Sequence, residues 1–231
     1  MKIKELMKKL ELLGTAQNRK VFSRHGFADN FFGVSFGDLN KLKKKIGTDD
    51  KLARQLWRTG NLDGRFLATM VGDPESMTLK DLDGWAKDLD NYMVTDCFSR
   101  YLASQTPHAK KAAEKWIKSK SEWIGQAGWV CLAVIAMSDQ DLTNTYLDGH
   151  LKTIEKGIHK RKNRVRHAMN MALISIGMRN PALEKKAFAA ARRIGKVEVD
   201  HGDTSCKTPD AIPYIKNAKA QRAKRKKKRS A

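Results

Sequence analysis

Apolar residues recur every three or four positions along most of this chain, and strand-like alternation is nearly absent. That spacing predicts helices near residues 2–13, 38–46, 49–59, 62–72, 79–88, 91–105, 108–118, 122–137, 140–157, 163–177 and 181–194. The punctuation agrees. Asp49, Thr78 and Ser121 stand where N-caps are needed, Thr78 and Asp81 have the spacing of a capping box, and Gly177 reads as a C-terminal stop. Pro107 and Pro181 fall where the following helices would start. Residues 23–37, "SRHGFADNFFGVSFG", read as a Gly-rich connection carrying aromatic side chains.

The helices pair into a repeat. In "GRFLATMV", "TDCFSRYL", "GQAGWVCL" and "RHAMNMAL" a polar residue precedes an apolar helical run. Aligning the four brings Arg65, Asp96, Gln126 and His167 into register at spacings of 31, 30 and 41 residues. Two helices per unit at such a period predict an all-α fold, an α-solenoid of HEAT-like helical repeats. Stacking would place the four polar residues in a row along one face, often the concave one. A buried polar ladder with internal hydrogen bonds would explain the same row.

Composition adds a partner. Among 231 residues, 46 Lys and Arg face 25 Asp and Glu, a net charge of +21. The closing "KAQRAKRKKKRSA" supplies eight of those charges, which leaves the body at +13. A basic body with a basic tail favours a polyanion, nucleic acid first and an anionic membrane surface second, against a merely solubilising charge. The organisation expected is a helical body over 1–195, a polar loop and short segment over 196–218, and a basic tail over 219–231 that is disordered unless nucleic acid orders it. Three cysteines without a CxxC pair (Cys97, Cys131, Cys206) argue for a reducing compartment and against a disulfide framework or zinc ribbon. The N-terminus lacks the apolar core of a signal peptide, and the longest apolar run, "AGWVCLAVIAM", is 11 residues, too short to cross a bilayer. A cytoplasmic, monomeric protein is expected, without membrane attachment.

Candidate chemistry gathers at a few places. Asp96 lies among Tyr92, Met93, Cys97 and Phe98, on what should be a buried helix face, and carboxylates are rarely buried without a partner. Tyr92 is one turn earlier on the same face. Such a carboxylate could stabilise developing positive charge, or it could be tied structurally to Arg65 or His167 of a neighbouring repeat. Trp116, Trp123 and Trp129 crowd one hairpin, with Trp57 and Trp85 upstream; most should be core, and Trp123, three residues before Gln126, is placed best to reach an edge. The run "HKRKNRVRH" over 159–167 puts Lys160, Arg161, Lys162, Arg164 and Arg166 beside His167 at a helix start, a pattern suited to phosphate as well as to a solvated face. Asp200, His201, Asp203, Ser205 and Cys206 form another polar patch. Its spacing fits no metal template, and a loop bonding its own backbone is the simpler account. No P-loop, GxGxxG, HExxH or GxSxG is present, so no nucleotide cofactor, other cofactor or metal is expected.

The segments "FFGVSFGDLNKLKKKIG", "LARQLWRTGNLDGRFLATMV", "LDNYMVTDCF", "KSEWIGQAGWVCLA" and "GIHKRKNRVRHAMNMALISIG" resemble, in order and spacing, the DNA alkylation repair family of AlkD-like proteins over about residues 30–195. The resemblance implies a HEAT-like solenoid whose concave basic face holds duplex DNA. It also implies a bacterial protein, associated with the nucleoid when bound to DNA. The family's characterised enzymes hydrolyse the N-glycosidic bond of cationic N3- and N7-alkylated purines without a base-flipping pocket. An aspartate stabilises the oxocarbenium-like sugar and positions water, and aromatic residues contact the deoxyribose. By this resemblance Asp96 matches the catalytic aspartate. Tyr92 falls where the enzymes carry a tryptophan, Gln126 where they carry an arginine, and Met171 where they carry a second tryptophan. The expected function is therefore excision of cationic alkylpurines from duplex DNA. The alternative is a non-catalytic binder of damaged, bent or branched DNA, or of structured RNA.

Overall fold

The computed structural model describes residues 2–27 and 29–229, the side chains of 225–229 excepted. Its α-helices in chain order are α1 (Ile3–Leu13), α2 (Ala16–Arg24), α3 (Phe36–Ile46), α4 (Asp50–Arg58), α5 (Leu62–Val71), α6 (Leu79–Lys87), α7 (Tyr92–Cys97), α8 (Ala109–Trp116), α9 (Glu122–Ser138), α10 (Asn144–Gly157), α11 (Asn163–Arg179), α12 (Pro181–Ile194) and α13 (Ala211–Arg229). Among the described residues there is no strand. The chain forms two compact units, Met1–Ala112 with His201–Cys206, and Ala113–Asp200 with Lys207–Ala231.

In the first unit α5 packs on α4, α3 and α7. Helix α4 turns Leu52, Ala53, Leu56 and Trp57 inward, whereas α5 is buried almost all round, from Leu62 to Val71 apart from Arg65. Such a helix needs neighbours on several sides. The Trp57 and Trp85 rings stack 4.2 Å apart at 9°, tying α4 to α6, and Trp57 Nε1 donates to Asp88 at 2.9 Å. Arg54 completes the join, donating to Asp50 at 2.6 Å and to Asp81 at 2.8 Å. The capping box of Thr78 and Asp81 is formed, and Asp49 caps α4. A second clamp fixes the connection before α3. The buried carboxylate of Asp63 accepts the N–H groups of Phe32, Gly33 and Val34 at 2.6, 3.1 and 2.9 Å. Gly33 sits there at φ +80°, and a Cβ on it would meet the Arg19 nitrogen at 2.8 Å.

In the second unit α9 packs on α11 and α10 on α12. This alternate-helix stacking is the repeat the sequence predicts. Cations of one repeat serve the helix ends of the one before. Arg161 donates to the carbonyls of Ile117 and Ser119, both at 2.9 Å, just beyond α8. Arg179 donates to Ala136, Asp139 and Leu142 at 2.8, 2.8 and 2.9 Å, over the end of α9. The last carbonyls of a helix have no partner within it, so each guanidinium supplies donors the chain lacks there.

Several expectations change. Residues 92–105 are one helical run with three windings: α7, a π-helical stretch Phe98–Leu102, and a 3-10 turn Ala103–Gln105. Thr95 and Ser99 hydroxyls bond the carbonyls four residues back at 2.7 Å, the kind of local competition that loosens a helix. Gly177 is not a stop. It lies inside α11, where a Cβ would come within 2.8 Å of both Ala187 and Ile215, so it serves close helix approach. Helix α2 was not expected, because Phe22 is its one buried residue and gives no apolar period. Helix α13 runs through the polar segment and into the stretch read as a disordered tail. Its Ala, Lys and Arg content favours helix without an apolar stripe. Ser230 and Ala231, the end of that expected tail, lie outside the described residues.

The Arg54 guanidinium beside Asp81 holds its carboxyl down at about 2, the Thr78 hydroxyl and N–H adding to the effect. The folded pKa lies below the unfolded value, so this stabilisation is present above the ordinary carboxylate range and fades as pH falls from about 4 towards 2. Urea titrations at pH 5 and pH 3 should therefore show Arg54→Met less stable than the parent at pH 5, with the gap narrowing at pH 3. An equal gap at both would contradict this pairing.

Candidate nucleic-acid interface

The candidate carboxylate lies in the first unit. Asn91 caps α7 by accepting the Val94 N–H at 3.0 Å, which sets Tyr92 in the first turn and Asp96 one turn later. Asp96 is half-buried, not enclosed, and stands two residues before the start of the π-helical stretch. Wide turns of this type recur at functional sites. Its charge also reaches the neighbouring Cys97 thiol, which is pushed up to about 12 chiefly by burial and secondly by Asp96. Cys97 is accordingly an unreactive packing residue.

Tyr92 is held from outside its own helix. Its hydroxyl is hydrogen-bonded to His25 Nδ1, and its ring lies 5.7 Å from Phe27 and 5.8 Å from His25. Phe27 in turn packs edge-on to Phe22. His25 ends α2 and Gly26 follows at φ +72°, so the turn swings Phe27 back under the tyrosine. The result is a half-buried aromatic surface beside a half-buried carboxylate. Sequence reasoning missed His25 and Phe27; the only signal was "HGF" in a segment read as a connection.

The polar row divides between structural duty and surface. Arg65 is bonded to the Asp88 carbonyl and the Asp90 carboxylate, both at 3.2 Å, with its guanidinium 5.2 Å from the Trp57 ring centre. It does not supply the tie to Asp96 that the sequence left open. In the second unit Gln126 is 3% exposed, inside the wholly buried stretch from Gly125 to Ala133 of α9. A side chain there presents DNA no surface. His167 is half-buried in α11. Trp123, in the first turn of α9, is half-buried, whereas Trp57, Trp85, Trp116 and Trp129 are core, as the spacing implied.

The basic run spans a 3-10 turn, Ile158–Lys160, and the start of α11. Lys160 and Lys162 are exposed. Arg161 is half-buried on the carbonyls described above. The Arg164 N–H, one of the unpaired donors of the first turn, is taken by the Glu122 carboxylate at 2.7 Å. Arg166 reaches Asn163 Oδ1 at 3.4 Å. Met171 is half-buried and lines a groove with Met137, Ile174 and Met178 on one side and Tyr214 and Arg222 of α13 on the other. The loop Asp200–Cys206 bonds its own backbone: Thr204 Oγ1 donates to the His201 carbonyl at 3.0 Å and accepts the Cys206 N–H at 3.3 Å.

Short helices stacked on alternate partners, with cations at the repeat junctions, define a HEAT-like helical repeat protein. The chain belongs to the DNA alkylation repair enzyme family, whose model matches residues 6–215. A solved structure described as a new family of proteins related to the HEAT-like repeat DNA glycosylases, with affinity for branched DNA structures, superposes with a TM-score of 0.87 at 28% identity. It covers 96% of this chain and 95% of that one. Among curated proteins the chain is 28% identical to the uncharacterised protein Lin0241 of Listeria innocua and 27% identical to Lmo0209 of Listeria monocytogenes. Each alignment spans 93% of this chain and 96% of the relative. Among the described residues no helix is long and apolar enough to cross a membrane.

Proposed function

We propose that this protein is a DNA-repair protein that binds branched or otherwise distorted duplex DNA through its backbone phosphates. The observation that carries this reading is the end-to-end match to a solved structure related to HEAT-like glycosylases with affinity for branched DNA. The charge supports it: +13 remains on the body without the tail, and Lys160 and Lys162 stand exposed at the entry to α11. The burial of Gln126, at the position where the family's enzymes carry an arginine, also favours binding over tight gripping at one lesion. Each phosphate contact made by a cation releases counterions, so affinity depends steeply on salt.

Asp96 favours a second reading, excision of cationic N3- or N7-alkylpurines. It is half-buried beside an aromatic surface fixed by His25 and Phe27, where a carboxylate can stabilise positive charge developing on the sugar. A positively charged base leaves as a neutral molecule, so the reaction needs no general acid. The carboxylate also orients the attacking water.

Two measurements test these readings. With a four-way junction as probe, Lys160→Ala with Lys162→Ala should reduce the slope of log K against log salt by about 1.8 in magnitude, at about 0.9 for each phosphate no longer neutralised. An unchanged slope would remove these lysines from the interface. With methylated duplex DNA, release of 7-methylguanine or 3-methyladenine should fall about 100-fold or more in Asp96→Asn. Release no faster than that variant's would eliminate the excision reading and leave the binding reading standing.

A further inference from the structure

The closing helix α13 has two halves that differ in what they touch. Its first half is anchored within the second unit. Ala211 and Ile215 are 5% and 0% exposed, and Ile215 lies against Gly177 of α11. Asn170 of α11 donates to the Pro209 carbonyl at 2.8 Å just before the helix begins. Lys219 pairs with Glu184 of α12, and Lys216 Nζ sits 5.9 Å over the Phe188 ring. From Ala220 to Lys224 every residue is exposed. Arg222 and Lys224 form no ion pair with any described residue.

The second half is also uniform in sign. Seven of residues 220–229 are Lys or Arg and none is acidic. A solubilising surface would mix the signs. Like charges on successive helical turns repel, so this half costs free energy until something neutralises it. The docked half provides the nucleus from which it can extend, and Ala, Gln, Lys and Arg are good helix formers.

We propose that residues 220–229 form a helical arm that lies along the phosphates of DNA, a contact distinct from Lys160 and Lys162; this rests on the DNA-binding reading above. The dimensions fit. Ten helical residues span about 15 Å, at about 1.5 Å each. A duplex presents about nine phosphates over that length, at one charge per about 1.7 Å of axis. The composition disfavours a helix that inserts into a membrane surface. An interfacial helix needs a face of Trp, Phe or Leu, and the apolar residues of 218–229 are Ala218, Ala220 and Ala223. The anchor explains why a bare polybasic coil would not serve as well. Fixing the arm's root on α11 and α12 gives the cations a set direction and removes part of the ordering cost of binding.

The test compares the full chain with a variant carrying Gln at Arg222 and at each of residues 224–229, and with a chain ending at Lys219. A four-way junction and a linear duplex are titrated over a salt series, and far-UV circular dichroism is recorded with and without DNA. Both altered chains should keep the parent's thermal midpoint and lose at least three from the magnitude of the salt slope. The full chain should show more signal at 222 nm than the chain ending at Lys219, without DNA as well as with it, because α13 is helical to Arg229. Equal slopes in all three chains would overturn the arm while leaving the DNA reading intact. No binding by the full chain at low salt would defeat the DNA reading itself. Vesicles containing about 30% phosphatidylserine provide the remaining arm, and tighter arm-dependent binding to them than to DNA would also overturn the proposal.

Discussion

A repeat of two short helices cannot bury its own apolar surface, and this constraint organises the molecule. Helices α5 and α9 are apolar nearly all round, so each is stable only with neighbours on several sides, and α11 shares the pattern over most of its length. Close stacking then exposes the weak point of every short helix, its unpaired ends. Arg161 and Arg179 reach back to carbonyls of the preceding repeat, and the Glu122 carboxylate takes an N–H at the start of α11. In the first unit Arg54 and the Trp57–Trp85 stack hold α4 to α6. Several of the molecule's arginines, Arg54, Arg161 and Arg179 among them, are therefore structural before they are functional.

That division decides what remains for a ligand. Arg65 is spent on Asp88 and Asp90, Arg161 on two carbonyls, and Gln126 is packed away. Lys160, Lys162, Arg222 and Lys224 keep their charges at the surface. Asp96 keeps a half-exposed position at a change of helical winding, against a tyrosine held by a histidine from another helix. Surface cations suit phosphate whatever the base sequence, as the proposed binding of distorted DNA requires.

Most helices were legible because burial on stacked repeats imposes a strong period on the sequence. The capping box at Thr78 and the caps at Asp49 and Asn180 follow from local chemistry, and the first two were readable as such. Helices α2 and α13 escaped because neither carries an apolar stripe. Gly177 was misread because a glycine inside a helix and one ending it look alike until the facing residues, Ala187 and Ile215, are known. The partners of Arg65, and the reach of His25 to Tyr92 across 67 positions, are tertiary facts with no local trace. Repeat spacing and the helical period singled out Asp96 and Tyr92 as candidates, and only the resemblance to the alkylation repair family matched Asp96 to a catalytic aspartate.

The most direct measurement is the ratio of dissociation constants for a four-way junction and a linear duplex of equal length, taken at one salt concentration near 150 mM. The junction should be bound at least tenfold more tightly. Equal affinity for the two, or no measurable binding to either, would contradict the proposed function.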